Sequence, residues 1–92
     1  MYKITKYSYN QAKNLNVTIK PSTVKNKKID VFDRDNKKLA SIGDIRYKDY
    51  PTYILEQGIE YAKERRRLYR IRHKDDLKKI GTPGYYANLI LW

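Results

Sequence analysis

Ninety-two residues, with 21 Lys and Arg against 10 Asp and Glu, make one small domain carrying a formal charge of +11. A chain of this length buries only about 60–65% of its extended surface, so its margin of stability is thin, and with no cysteine it has neither disulfide staples nor a thiolate metal site. The charge selects for anionic partners, whether nucleic acid, acidic protein surfaces or anionic membranes, without choosing among them.

Residues 2–7 alternate weakly and read as an edge strand or an arm. Ser8 followed by Gln11 is a capping-box spacing, which predicts a short helix over residues 9–15. Val17 to Lys20 is a short strand stopped by Pro21. KIDVF (28–32), the turn composition DRDN (33–36) and KLASI (38–42) predict a β-hairpin, the strongest local signal in the chain. Gly43 then ends the hairpin at a place requiring positive φ or close backbone approach. Pro51 favours a helix start, with Asp49 or Tyr50 at the cap, and a first helical piece runs over 51–57. Gly58 either breaks that helix or lets it pass close to another element. Ile54, Tyr61 and Leu68 recur every seven residues, which argues for one continuous face across it, with the main helix reaching about His73. Residues 75–81 are a charged turn or a short helix, and Thr82-Pro83 starts a last short helix or extended tail over GYYANLILW. That terminus is the most apolar stretch of the chain, so it must dock on its own domain or on a neighbour, with Tyr85, Tyr86, Leu89 and Trp92 as its candidate interface side chains.

The expected fold is α+β, an antiparallel hairpin widened to three strands by residues 17–20. One long basic amphipathic helix crosses this sheet and a short C-terminal apolar helix closes the core. Residues 1–16 are expected as an N-terminal arm with a short helix, and 17–92 as the single domain. No apolar run approaches the ~20 residues of a membrane span, and the N-terminal MYKITKYSYN lacks the apolar core of a signal peptide. The expectation is a soluble protein made in the cytoplasm, with no membrane partner.

The segment IEYAKERRRLYRIRHK (59–74) holds two populations of basic residues. At about 100° per residue, Lys63, Arg66, Arg67, Arg70 and Lys74 line one side as a solvated or anion-contacting stripe. The other side carries Tyr61, Leu68 and Tyr69, with Arg65 and Arg72 set among them. An arginine on an apolar face needs hydrogen-bond partners. Asp residues of the hairpin or the 44–50 loop, or backbone carbonyls, would supply them, giving an inward network of Arg65, Tyr69, Arg72 and His73. The stripe can track phosphates, but Glu60, Glu64, Asp75 and Asp76 interrupt its field, and no helix-turn-helix, zinc-finger or RNA-recognition signature is present. The ten tyrosines suit half-buried surfaces and interfaces.

Catalytic signals are weak. His73 is the one histidine, and no second His or Cys completes a zinc site with Asp75 and Asp76. Ser8, Ser22 and Ser41 have no nucleophile-elbow context, and no Gly-rich phosphate loop occurs. Neither enzymatic activity nor a cofactor or metal is expected.

The order KKIDVF, SIG, YKDY, RRRLYRIRH and TPGYYANLILW, at 27–32, 41–43, 47–50, 65–73 and 82–92, resembles a family of small basic proteins of large DNA viruses. Relatives occur in giant eukaryotic viruses and in crAss-like tailed phages, and the chain is most similar to the phage versions. The resemblance spans about residues 15–92 and leaves the N-terminal arm outside. It implies a non-enzymatic virion component, a minor or auxiliary capsid protein of the head that binds capsid subunits in many copies. The family pattern singles out Arg65, Arg66, Tyr69, Arg72 and His73, which favours an inward Arg/Tyr network over a dedicated phosphate stripe. The alternative reading is a protein that binds DNA without reading sequence.

Overall fold

The structure is a computed structural model and describes residues 2–92. In chain order it comprises α1 (Lys6–Asn14), β1 (Thr18–Pro21), β2 (Lys27–Phe32), β3 (Lys38–Asp44), α2 (Tyr50–Gln57), α3 (Ile59–Arg72), a 3-10 turn (Lys74–Lys78) and α4 (Pro83–Ile90). The fold is α+β, as the alternation and turn signals predict.

The three strands form one antiparallel sheet in the order β1-β2-β3. Ile19 pairs with Val31, Ile29 with Ile42, and Val31 with Ala40, so one face of every strand is aliphatic. A slip of one residue would turn that face outward, which is why the alternation specifies the register. Asparagine in the left-handed region makes the tight connections: Asn26 at φ 67° before β2 and Asn36 at φ 64° before β3. Its short polar side chain tolerates that backbone. Asp33 sets the second turn by accepting from the backbone N–H of Asp35 at 2.9 Å and of Lys37 at 2.8 Å.

The sheet is covered differently from the expectation. α4 lies against β3 and α1, and α1 also meets β1, whereas α3 packs along α2. Only Ala62 of α3 is buried, so this helix has no apolar face to lay across a sheet. Gly58, at φ 91° and ψ 163°, breaks the helix, and the heptad spacing does not produce one buried face: Tyr61 and Leu68 are both exposed. The core instead joins Ile19, Ile29, Val31, Ala40 and Ile42 of the sheet to Ile4, Ala12, Ile90 and Leu91.

The N-terminal residues belong to this core and are not an arm outside it. Thr5, and not Ser8, caps α1, accepting from Ser8 N–H at 3.3 Å, so the helix begins three residues earlier than the capping-box spacing predicts. Ser8 and Gln11 share a helix face and hold α4 instead. Ser8 Oγ donates to Ile90 O at 2.9 Å and Gln11 Nε2 to Leu89 O at 3.0 Å. These bonds satisfy carbonyls that the end of α4 leaves without intrahelical partners.

Gly43 lies within β3 and does not end it. Its φ is +77°, and a Cβ there would fall 2.7 Å from Leu91 Cδ1 and 2.9 Å from Lys28 Cδ. The position combines a left-handed backbone with close approach of α4's end, and both conditions favour glycine.

Candidate partner-binding groove and basic helix

Two buried carboxylates set the frame on which the surface residues stand. Asp49 precedes Tyr50 and Pro51 at the start of α2, and its Oδ1 accepts from Thr52 N–H at 3.0 Å as the helix cap. Its Oδ2 accepts from Lys28 Nζ at 2.8 Å and from Tyr2 Oη at 2.7 Å. Both Lys28 and Asp49 are buried, so this ion pair ties β2, α2 and the N-terminal segment together out of reach of solvent. Burial would push the Asp49 carboxyl up, but the charge and hydrogen bond of Lys28, with Thr52 and Tyr2, outweigh it and hold the carboxyl below its ordinary value. Burial and the neighbouring carboxylate together push the Tyr2 phenol up.

Asp30 lies two residues further along β2, on the same side as Lys28. It accepts from Ser22 Oγ at 2.6 Å, Ser41 Oγ at 2.7 Å and Thr23 N–H at 3.3 Å, with Lys38 Nζ 3.4 Å away. Burial opposes ionisation here too, yet these donors win and lower the carboxyl from 3.8 to about 2. A depressed folded-state value stabilises the fold above the unfolded value, and that stability disappears as pH falls through the folded one. The urea midpoint is therefore expected to fall between about pH 4 and pH 2, with Asp49 acting in the same direction. Asp30→Asn should flatten part of this fall. A wild-type midpoint that stays constant over that interval would contradict the assignment.

The stripe residues Lys63, Arg66, Arg67, Arg70 and Lys74 line one shallow hollow, the first four on α3 and Lys74 in the 3-10 turn that follows it. Arg67 is held by Glu64 at 2.6 Å, and Lys63 lies 4.0 Å from Glu60. Arg66 is not a free solvent-facing cation, because its guanidinium sits 4.0 Å from the centroid of the Tyr50 ring. Arg70 Nη2 donates to Trp92 O at 3.3 Å. Lys74 is exposed.

The inward network is arranged differently from its prediction. Among the described residues, no carboxylate lies within ion-pair distance of Arg65 or Arg72. Arg65 is half-buried against the ring of Tyr53, 5.5 Å from its centroid, and Arg72 is exposed. Arg72→Ala is accordingly expected to change stability by under about 0.5 kcal/mol in thermal or urea unfolding, as for a surface residue without partners. A loss of several kcal/mol would restore the inward reading. Tyr69 and His73 do belong together: their rings stack at 4.2 Å, and Tyr69 stacks on Trp92 at 4.2 Å with an interplanar angle of 8°. His73 Nδ1 also lies 3.1 Å from Asp76 Oδ2.

This aromatic column is one wall of a cavity of about 580 Å³ between α3, the β2–β3 end of the sheet and the β3–α2 loop. Lys27, Tyr47, Tyr53, Arg65 and Arg72 line it beside Tyr69. Of the C-terminal candidates, Tyr86 and Trp92 pack against the core, and Tyr85 meets Tyr86 edge-on at 5.4 Å. Tyr85 and Leu89 are half-buried, and the Leu89 carbonyl is taken by Gln11. The apolar terminus therefore docks on its own domain.

Sequence reasoning missed Lys28, Asp30 and Asp49 as organising residues. Asp49 had a signal in its cap position before Pro51. Lys28 and Asp30 occupy the polar side of an alternating strand, and nothing local marks that side as buried.

The model of a family described as a family of unknown function (DUF5754) matches residues 17–52. That segment holds the whole sheet and the first residues of α2, including Lys28, Asp30, Gly43 and Asp49. No curated protein and no solved structure matches the chain.

Proposed function

We propose that this chain is a non-enzymatic structural component of a virus particle, a minor or auxiliary protein of the head that binds capsid subunits in many copies after synthesis in the host cytoplasm. The resemblance of its strand, loop, helix and C-terminal motifs to small basic virion proteins supports the particle assignment. The observation that carries the binding role is α3. This 14-residue helix buries only Ala62, yet it presents cations on both flanks. A helix that adds so little to its own core is available for a partner, and its charge suits an acidic protein surface. No helix among the described residues is long and apolar enough to cross a membrane. Mass spectrometry of purified particles, with copy-number estimation, should find the chain in multiple copies; its absence from particles overturns the assignment.

The second reading is a protein that binds DNA without sequence preference, and the stripe favours it. Lys63, Arg66, Arg67 and Arg70 share one side of α3, with Lys74 just beyond its end, as phosphate tracking requires. Retention on duplex DNA at about 150 mM salt, with a log–log salt slope of several units, would establish this reading over the first.

A further inference from the structure

We propose that the groove between α3 and the β2–β3 end of the sheet binds an acidic, extended peptide segment, whose carboxylates pair with Arg65, Arg72 and Lys27. The inference deepens the capsid-binding reading and rests on it for the partner's origin. Three observations support a peptide rich in Asp or Glu.

The first is the charge of the walls. Among the described residues no carboxylate pairs with Lys27, Arg65 or Arg72, and the one carboxylate on the lining, Asp44, is held by Arg46 at 2.7 Å. Lys28 and Lys48 on the same lining are paired with Asp49 and Glu56, and Lys27 interacts with the Asp44 charge, so the uncompensated cations of this concave surface are Arg65 and Arg72, whose pull on anions the concavity strengthens.

The second is the state of the rings. A site for nucleic-acid bases needs aromatic faces open for stacking. Here both faces of Tyr69 are covered, by Trp92 and His73 at 4.2 Å each. Tyr53 is covered by Arg65 at 5.5 Å and flanked by Tyr61 and Trp92 at 5.6 and 6.2 Å. Tyr47 is the lining ring left accessible, 68% exposed with Arg46 over it at 5.8 Å; the rest of the lining offers a ligand guanidinium forks and N–H and O–H donors, the groups that recognise carboxylates.

The third is spacing. Arg65 and Arg72 are seven residues apart on one face of α3, roughly 10 Å along the axis at 1.5 Å per residue. Two carboxylates on a single extended chain can reach both. The cavity of about 580 Å³ holds a few residues of such a chain.

The test uses a fluorescein-labelled octaglutamate peptide as probe and fluorescence anisotropy at about 100 mM salt, where surface charges are screened beyond about 10 Å. The Arg65→Gln/Arg72→Gln chain should bind the probe about 10-fold more weakly than wild type. A control removing the same charge from the exposed turn between β2 and β3, at the other end of these strands from Lys27 and Asp44, Arg34→Gln/Lys37→Gln, should lose less than about 3-fold. Arg72→Gln and Lys27→Gln, made singly, serve if the double variant unfolds, because both side chains are exposed; each should weaken binding where the control does not. Equal losses in groove and control variants would mean net charge alone and overturn the proposal. Tighter binding of a thymidine octanucleotide than of the peptide would also overturn it, in favour of nucleic acid. Particle composition is measured separately. Selective loss of peptide binding in a chain absent from particles leaves the groove standing and removes the virion assignment; equal losses in a chain found in particles do the reverse.

Discussion

Replacing Asp49 with alanine is expected to cost about 3–5 kcal/mol, because it strands the ammonium of Lys28 inside the protein. Lys28 is 4% exposed and its hydrogen-bonding partner is Asp49 at 2.8 Å, so no solvent is at hand to take over the charge. The same substitution removes the acceptor for Thr52 N–H and for the Tyr2 hydroxyl. Against a typical domain stability of about 5–15 kcal/mol, a loss of this size leaves the native state barely populated at moderate temperature. Asp49→Asn separates the two roles. Asparagine caps a helix about as well as aspartate, so this variant keeps the cap and loses only the charge. It should fall short of wild type by most of the same amount, with Asp49→Ala lower by a further ~1 kcal/mol. Removing both charges, as in Lys28→Met/Asp49→Leu, should recover much of the loss, because the attraction within a buried pair offsets little more than its own desolvation. Urea unfolding followed by Trp92 fluorescence reads all four chains. An Asp49→Asn midpoint indistinguishable from wild type would mean that the ion pair is not buried as described.

Leu91→Ala is expected to cost about 2–5 kcal/mol, the range for emptying a fully buried aliphatic position. Leu91 is 1% exposed, and its Cδ1 lies where a Cβ on Gly43 would be, 2.7 Å away. Its carbonyl also accepts from Tyr50 N–H at 3.0 Å, so the end of α4 is joined both to β3 and to the start of α2. Gly43→Ala alone should cost about 2–4 kcal/mol, since it combines overpacking with a side chain at positive φ. The informative measurement is the double variant. Shortening Leu91 removes the closer of the two clashes that the new methyl makes and leaves the one with Lys28 Cδ at 2.9 Å, so the combined loss should be less than the sum by about 1 kcal/mol. The backbone strain at φ +77° is untouched by that change and should remain. Additivity within about 0.5 kcal/mol would show that the two residues are not in contact.

The strands and the class of the fold were legible locally. Alternation in KIDVF and KLASI, with turn residues between them, needs only neighbours one and two positions away to declare itself. Helix starts were partly legible: Thr82 caps α4 with Pro83 behind it, as the pair predicts, whereas α1 starts at Thr5. Thr5 and Ser8 are both good caps, and the choice between them follows from Ser8 being drawn into a bond with Ile90 O, 82 residues away in sequence. Angular periodicity also overreached on the long basic stretch. It sorted the arginines correctly by side of the helix but not by environment: Arg66 packs on Tyr50, and Arg72 stands in the open. Which side of a helix is inside depends on what lies opposite it, and α2, not the sheet, lies opposite α3.

By itself, then, the sequence determined the charge of the protein, its α+β class, the hairpin and the need for its apolar terminus to dock. Only the tertiary structure decided that α4 and α1, in place of the basic helix, cover the sheet. It also decided that Lys28, Asp30 and Asp49 are buried. The physical reason is common to both. Periodicity and turn chemistry are short-range properties of the chain, while burial is settled by competition among all the apolar faces for one small sheet. GYYANLILW brings more apolar surface to that competition than IEYAKERRRLYRIR does, so the basic helix is left on the outside, packed along α2.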